Sequence, residues 1–159
     1  MNEIHLMWVD PGVTTGIAIY RRWANGVERC QWKQRKGLAS TCRFIDAEVV
    51  ANMHLGYESF YIGERTTKAE VENVRAATDI IGWIKASHAM DKFWTRLPLL
   101  DQHPRERTPK VITPEVVERC LGEAPTGQKH AMDAARHIVR YLVSTKRDPT
   151  IRERYADAT

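Results

Sequence analysis

The sequence predicts an α/β fold: a mixed five-stranded sheet in the order 3-2-1-4-5, with strand two antiparallel and helices on both faces. Three observations lead there. The chain opens on an apolar run that ends in a carboxylate, Asp10, and turns at once through Pro11-Gly12. A second strand-like stretch meets a third across Asn25-Gly26, a strong hairpin signal. Beyond Gly37 the apolar spacing becomes helical, then strand-like, then helical again, as expected when later strands are added in parallel through crossover helices.

Each element has its own local reason. Residues 4–10 form strand one, 16–23 strand two and 27–34 strand three, an antiparallel meander. Ser40 or Thr41 caps a helix that runs to about Leu55, with Phe44, Ala47, Val50 and Ala51 at helical spacing and Gly56 ending it. Tyr57 to Glu64 is strand four, parallel to strand one, and it too ends in a carboxylate. Thr66 or Thr67 caps a helix over about 68–87, with Val71, Val74, Thr78, Ile81 and Ile84 on one stripe. Lys92 to Leu97 is strand five, and residues 98–112 are a Pro- and Arg-rich connection. Thr113-Pro114 opens a short helix ending near Gly122. Gln128 to about Thr145 is the last helix, which makes residues 1–145 the folded domain and 146–159 a charged, flexible tail.

The bulk numbers exclude several classes. At 159 residues the chain holds one domain with a full core. No apolar run approaches the roughly 20 residues that a membrane span needs, and the opening residues do not read as a secretory leader. Three widely spaced cysteines, Cys30, Cys42 and Cys120, suggest neither a disulfide framework nor a zinc site, so a reducing cytoplasm is expected. The net charge is only +4, yet the basic residues cluster. Arg21, Arg22, Arg29, Lys33, Arg35, Lys36 and Arg43 fall in one span, and His103, Arg105, Arg107 and Lys110 in another. A solvated surface is the usual explanation of such clusters; a nucleic-acid partner gives them a use.

The chemistry lies in four residues. If strands one and four are parallel neighbours, their carboxyl ends share one sheet edge, and Asp10 and Glu64 project side by side ~4.8 Å apart. Two carboxylates that close raise each other's pKa unless a cation lies between them. The last helix places His130 and Asp133 three residues apart on one face, flanked by Ala131, Ala134 and Ala135, which let it pack close to the sheet. Asp10, Glu64, His130 and Asp133 are therefore candidate ligands for two Mg²⁺ or Mn²⁺ ions about 3.5–4 Å apart. Taken singly, each has a plain alternative: a turn residue, a strand-end ion pair, a capping histidine, a surface acid.

These residues carry a resemblance. Asp10-Pro-Gly-x-x-x-Gly16, Ile62-Gly-Glu64 and His130-x-x-Asp133, with Thr113-Pro114 ahead of the last motif, look like the RuvC-type Holliday junction resolvases of the RNase H-like superfamily, particularly the small phage versions. Each motif is short; their order matches over about residues 4–145. The resemblance implies an RNase H-like nuclease domain and a homodimeric, divalent-metal-dependent endonuclease that cuts branched DNA. It implies catalytic, metal-ligating roles for Asp10, Glu64, Asp133 and His130. Many relatives have Asp where His130 stands, and the imidazole removes one negative charge, which favours Mn²⁺. The stripe Val71, Val74, Ile81 and Ile84 becomes the dimer face. Arg35, Lys36, Arg105, Arg107, Lys110 and Lys129 become phosphate contacts, with affinity that falls steeply with salt. Where the bacterial resolvases carry an aromatic wedge three residues after the glutamate, this sequence has Thr67, which predicts weaker selectivity for four-way junctions over flaps and forks.

Three other readings share parts of this pattern. An actin-like sugar kinase shares the opening motif but needs two such domains. An RNase H-type nuclease for RNA–DNA hybrids shares the acidic geometry. A non-catalytic nucleic-acid-binding module would keep the fold without needing all four ligands.

Overall fold

The computed structural model describes residues 3–58, 67–90, 99–102, 112–145 and 147–158. The elements are β1 (Ile4–Asp10), β2 (Thr14–Arg22), β3 (Glu28–Lys36), α1 (Leu38–Glu48), β4 (Met53–Glu58), α2 (Lys68–Met90), β5 (Leu99–Gln102), α3 (Pro114–Leu121), α4 (Lys129–Ser144) and α5 (Pro149–Ala156). The sheet runs β3-β2-β1-β4-β5. β2 is antiparallel to both β1 and β3, whereas β4 is parallel to β1 and β5 to β4.

Side-chain alternation splits the core into two layers. Leu6, Trp8, Ala18 and Tyr20 face α3, α4 and α5, where Val117, Cys120, Ala134, Ile138, Leu142 and Ile151 meet them. Met7, Val9, Ile17 and Ile19 face the other way and pack on Ile45 of α1 and on Ile80 and Ile84 of α2, beside Met53, Leu55 and Tyr57 of β4. Because Leu6 and Trp8 face α4, the next residue in that alternation, Asp10, faces it too.

The strand-four boundary differs from the sequence expectation. The first helix ends at Glu48 rather than near Leu55, and Met53–Glu58 is the strand. Val49 leaves the helix in an extended conformation and Asn52 takes a positive φ of 64°, which turns the chain into β4. The signal was period-two alternation: Met53, Leu55 and Tyr57 are all buried on one face. Gly56 ends no helix. It sits in β4 opposite Trp8, where an added Cβ would lie 2.3 Å from Trp8 Cε3, so only glycine admits the ring. Residues 59–66, and with them most of the expected strand four, lie outside the described residues, as does the expected strand five at 92–97.

Helix α2 extends to Met90 and is capped as expected: Thr67 Oγ1 accepts from Glu70 N–H, and the Glu70 carboxylate accepts from Thr67 N–H. Thr113 caps α3, and Gly122 closes it at φ 85°.

The tail expected to be loose is a helix. Asp148 caps α5 by accepting from Ile151 N–H, and Ile151 is fully buried. Asp148 also pairs with Arg22 and accepts from the Tyr20 hydroxyl, while Arg154 pairs with Glu28. Read from composition, 146–159 is a run of charges; these contacts give two of them, Asp148 and Arg154, partners inside the fold.

Candidate metal centre

Asp10 ends β1 and is 6% exposed. Its neighbour across the sheet is Gly16, and Gly16 in turn faces Gln34 of β3. Helix α4 begins directly above this row. Gln34 Oε1 accepts from His130 N–H at 3.0 Å, and His130 Nδ1 lies 3.0 Å from Asp10 Oδ2. A Cβ on Gly16 would lie 2.0 Å from the His130 carbonyl, so the glycine lets the first turn of α4 rest on the sheet. The turn after Asp10 is held as well: Thr15 Oγ1 donates to the Gly12 carbonyl, and Val13 N–H donates to Asn73 Oδ1 of α2.

Donor atoms of Asp10, His130 and Asp133 lie within 4.8 Å of one another. Asp133 is steadied by Arg136, whose Nη1 donates to its Oδ1 at 2.7 Å while Nε donates to the Ile112 carbonyl. Burial pushes the Asp10 carboxyl up to about 6; the His130 hydrogen bond opposes this, and the charges of Glu58 and Asp133 add to it. The hydrogen bond to Asp10 raises the His130 pKa, against its own partial burial. A buried carboxylate raised by burial and by neighbouring negative charge is what a bound cation relieves. Two carboxylates and an imidazole, with Glu58 adjacent, form a mixed oxygen and nitrogen donor set that fits Mg²⁺ or Mn²⁺.

The structure thus gathers three of the four expected ligands. Glu64 lies outside the described residues. Glu58, which the sequence reading passed over, occupies the end of β4: Val9 pairs with Tyr57, so Glu58 stands one register step on, beside Asp10. His137, Gln34 and Asn73 were also missed; only the i, i+3, i+7 spacing of His130, Asp133 and His137 on α4 hinted at the first.

Of the expected phosphate contacts, Arg35 and Lys36 end β3 at the same sheet edge as Asp10, and Lys129 opens α4. Arg35 lies over the Phe44 ring at 4.8 Å, whereas Lys36 and Lys129 are exposed. Arg105, Arg107 and Lys110 fall outside the described residues. The expected dimer stripe divides. Val74 and Ile84 are 8% and 0% exposed, and Ile84 belongs to the chain's own core, so neither is available to a partner. The inward stripe of α2 follows Val74, Ala77, Ile80 and Ile84. Ile81 is partly buried against the same core, and only Val71, at 42%, is open.

Gly16→Ala is expected to lift α4 from the sheet at the site. Overpacking against backbone costs about 1–3 kcal/mol, and Mn²⁺ binding should weaken along with the melting temperature. Gly82→Ala, in open space on α2, is the control and should be neutral or stabilising. Unchanged melting and Mn²⁺ binding in Gly16→Ala would mean that α4 does not rest there.

Fold and site together define a mixed-sheet α/β protein with a candidate divalent-metal centre at the carboxyl edge of its central strands. No family model and no curated protein matches the chain. Among solved structures, it is similar to T. thermophilus RuvC in complex with a Holliday junction substrate, with a TM-score of 0.54 at 15% identity over 84% of this chain and 89% of that one. The likeness is one of fold: the chain shares the architecture of that RuvC. Among the described residues no helix is long and apolar enough to cross a membrane.

Proposed function

We propose that this protein is a divalent-metal-dependent endonuclease that cuts branched DNA, four-way junctions first, by phosphodiester hydrolysis. The observation that carries the reading is the Asp10, His130 and Asp133 cluster standing at the sheet edge of a RuvC-type fold. Divalent ions held there would supply an activated water and stabilise the leaving 3′ oxygen. The chain's own residues have separable tasks. Asp10 and Asp133 provide anionic donors, and Arg136 holds Asp133 in place. His130 fixes the Asp10 carboxylate from the first turn of α4. Lys36 and Lys129, exposed beside the cluster, are suited to hold phosphates, with salt-dependent affinity. Cutting two strands of a junction calls for two such sites, hence a homodimer, with Val71 on the open side of α2 as its candidate contact.

The test is cleavage of labelled four-way junctions, flaps and an RNA–DNA hybrid with Mg²⁺, with Mn²⁺ and with EDTA. Paired, metal-dependent nicks in the junction are expected. Metal-dependent cleavage of the hybrid alone would make it an RNase H-type enzyme. Tight junction binding with no cleavage under either metal would make it a binding module.

A further inference from the structure

Helix α4 starts without a cap of its own. The residues that open α2, α3 and α5 each accept a backbone N–H on their own side chains: Thr67, Thr113 and Asp148. Gln128, at the same position of α4, makes no such bond, and the first turn carries no acid. The helix's own ladder begins with the Met132 N–H, which donates to the Gln128 carbonyl. The N–H groups before it, His130's among them, have no partner within the helix.

The sheet supplies what the helix lacks. Gln34 lies on β3, in the row Asp10, Gly16, Gln34 that crosses β1, β2 and β3. Cys30 and Trp32 pack into the α4 layer, so Gln34, next in that alternation, faces α4 as Asp10 does. Two strand spacings separate Asp10 from Gln34 by about 10 Å, and His130 spans that gap. Its Nδ1 meets Asp10 Oδ2 at 3.0 Å, its carbonyl lies over Gly16, and its N–H donates to Gln34 Oε1 at 3.0 Å. The imidazole itself is 37% exposed, so packing alone does not hold it at Asp10. Its place follows from where the backbone of His130 is held, and Gln34 is the side chain that holds it.

We propose that Gln34 is a positioning residue for the metal centre: it caps α4 from β3 and, by fixing the backbone of His130, sets the imidazole against Asp10. The inference rests on the metal-centre reading. It places control of one candidate ligand on a strand outside the Asp10, His130 and Asp133 cluster. Groups that orient metal ligands matter nearly as much as the ligands, and losing one typically weakens metal binding about 10–100-fold. A cap that served stability alone would cost melting temperature when removed and leave metal affinity untouched.

The test combines Mn²⁺ calorimetry with amide hydrogen exchange on the whole protein, without DNA. The variants are Gln34→Met, Gln34→Glu, His130→Ala and the double Gln34→Met/His130→Ala. Met keeps the length of the side chain and lacks the acceptor. Glu keeps the acceptor and adds a charge that a helix N-terminus favours. In the metal-free wild type the His130 N–H should exchange about tenfold or more slowly than in an unfolded peptide. Gln34→Met should release that amide and weaken Mn²⁺ binding about tenfold or more, whereas Gln34→Glu should keep both. In the His130→Ala background Gln34→Met should still lower the melting temperature but cost no further affinity, because the ring it positions is gone. Wild-type affinity in folded Gln34→Met, or a loss that recurs in full without His130, would leave Gln34 a stabilising cap and overturn the proposal. So would a loss in Gln34→Glu as large as that expected of Gln34→Met. If Gln34→Met fails to fold, the wild-type exchange rate and Gln34→Glu still decide: an unprotected His130 N–H, or that loss in Gln34→Glu, overturns the role. A wild-type protein that binds no Mn²⁺ removes the metal centre and this inference together; one that binds it while Gln34→Met matches it removes only the inference.

Discussion

Asp10→Asn should abolish junction cleavage while making the metal-free protein more stable at neutral pH. The two effects share one cause. Burial raises the Asp10 pKa from 3.8 to about 6, so the folded state binds the proton more tightly than the unfolded chain does. A carboxyl raised in this way destabilises the fold only where it is ionised. The penalty is absent below about pH 4, grows through pH 6 and is complete above it. Its size at pH 7.5 is on the order of 3 kcal/mol, from about two pH units at 1.36 kcal/mol each. Asparagine carries no charge and escapes it, less whatever the altered bond to His130 forfeits. For a chain of this size each kcal/mol moves the midpoint by about 2–4 °C, so the mutant should melt several degrees higher at pH 7.5 and alike at pH 4. Divalent cations should reverse the ranking, because they stabilise the ionised carboxylate of the wild type. Cleavage should fall by on the order of 10³-fold or more, since several kcal/mol of transition-state stabilisation depend on that ligand. Binding to the junction should persist. Thermal melts at both pH values, with and without Mn²⁺, beside a cleavage assay check all of this. A mutant that cuts normally, or that gains the wild type's full thermal shift from Mn²⁺, would end the case for Asp10 as a ligand.

The stability gain also shows why this acid was conspicuous in the sequence. A carboxylate at the end of an apolar strand is a local conflict, and such conflicts mark functional sites. The same reasoning made the β1–β2–β3 meander legible, because alternation and Asn25-Gly26 are local signals. It located α3 through Thr113, Pro114 and Gly122, all of which act within one turn of the chain. His130 and Asp133 were legible through their spacing, and the structure sets them with Asp10.

What escaped the sequence reading was long-range. Val49 to Leu55 carries apolar residues that suit either a helix face or a strand. The decision rests on Asn52 turning the chain and on Gly56 meeting Trp8 from β1, a contact forty-eight residues away in sequence. The early start of β4 brought Glu58 into the strand and hid its pairing with His137. Gln34 was hidden likewise: its worth lies in accepting from His130 N–H, ninety-six residues along the chain. The tail was misjudged because composition counts charges and not partners. Asp148 and Arg154 look like solvent-seeking residues until Arg22, Tyr20 and Glu28 are placed beside them.

The largest loss of stability is accordingly expected from Asp148→Ala. Asp148 is fully buried, and its two oxygens serve three partners. Oδ1 takes Arg22 Nη1 at 2.5 Å and the Ile151 N–H at 3.2 Å, and Oδ2 takes the Tyr20 hydroxyl at 3.0 Å. Truncation leaves the Arg22 guanidinium, 3% exposed, without this counter-charge, and breaking a buried pair from one side costs about 3–5 kcal/mol. Loss of the helix cap adds about 1 kcal/mol. The melting midpoint should fall by at least ~6 °C, with α5 undocking first. Asp148→Asn, which keeps one acceptor oxygen, for the α5 cap or for Tyr20 but not for both, should fall between the two. Distance separates this effect from catalysis. Arg22 pairs with Ile4 at the far end of β1 from Asp10, six residues or about 20 Å along the strand. Below its melting range Asp148→Ala should therefore bind Mn²⁺ and cut DNA as the wild type does. A mutant melting within 2 °C of the wild type would return residues 146–159 to the status of a loose tail. A folded mutant that loses Mn²⁺ binding would instead show that α5, through α4, sets the first turn on which His130 stands.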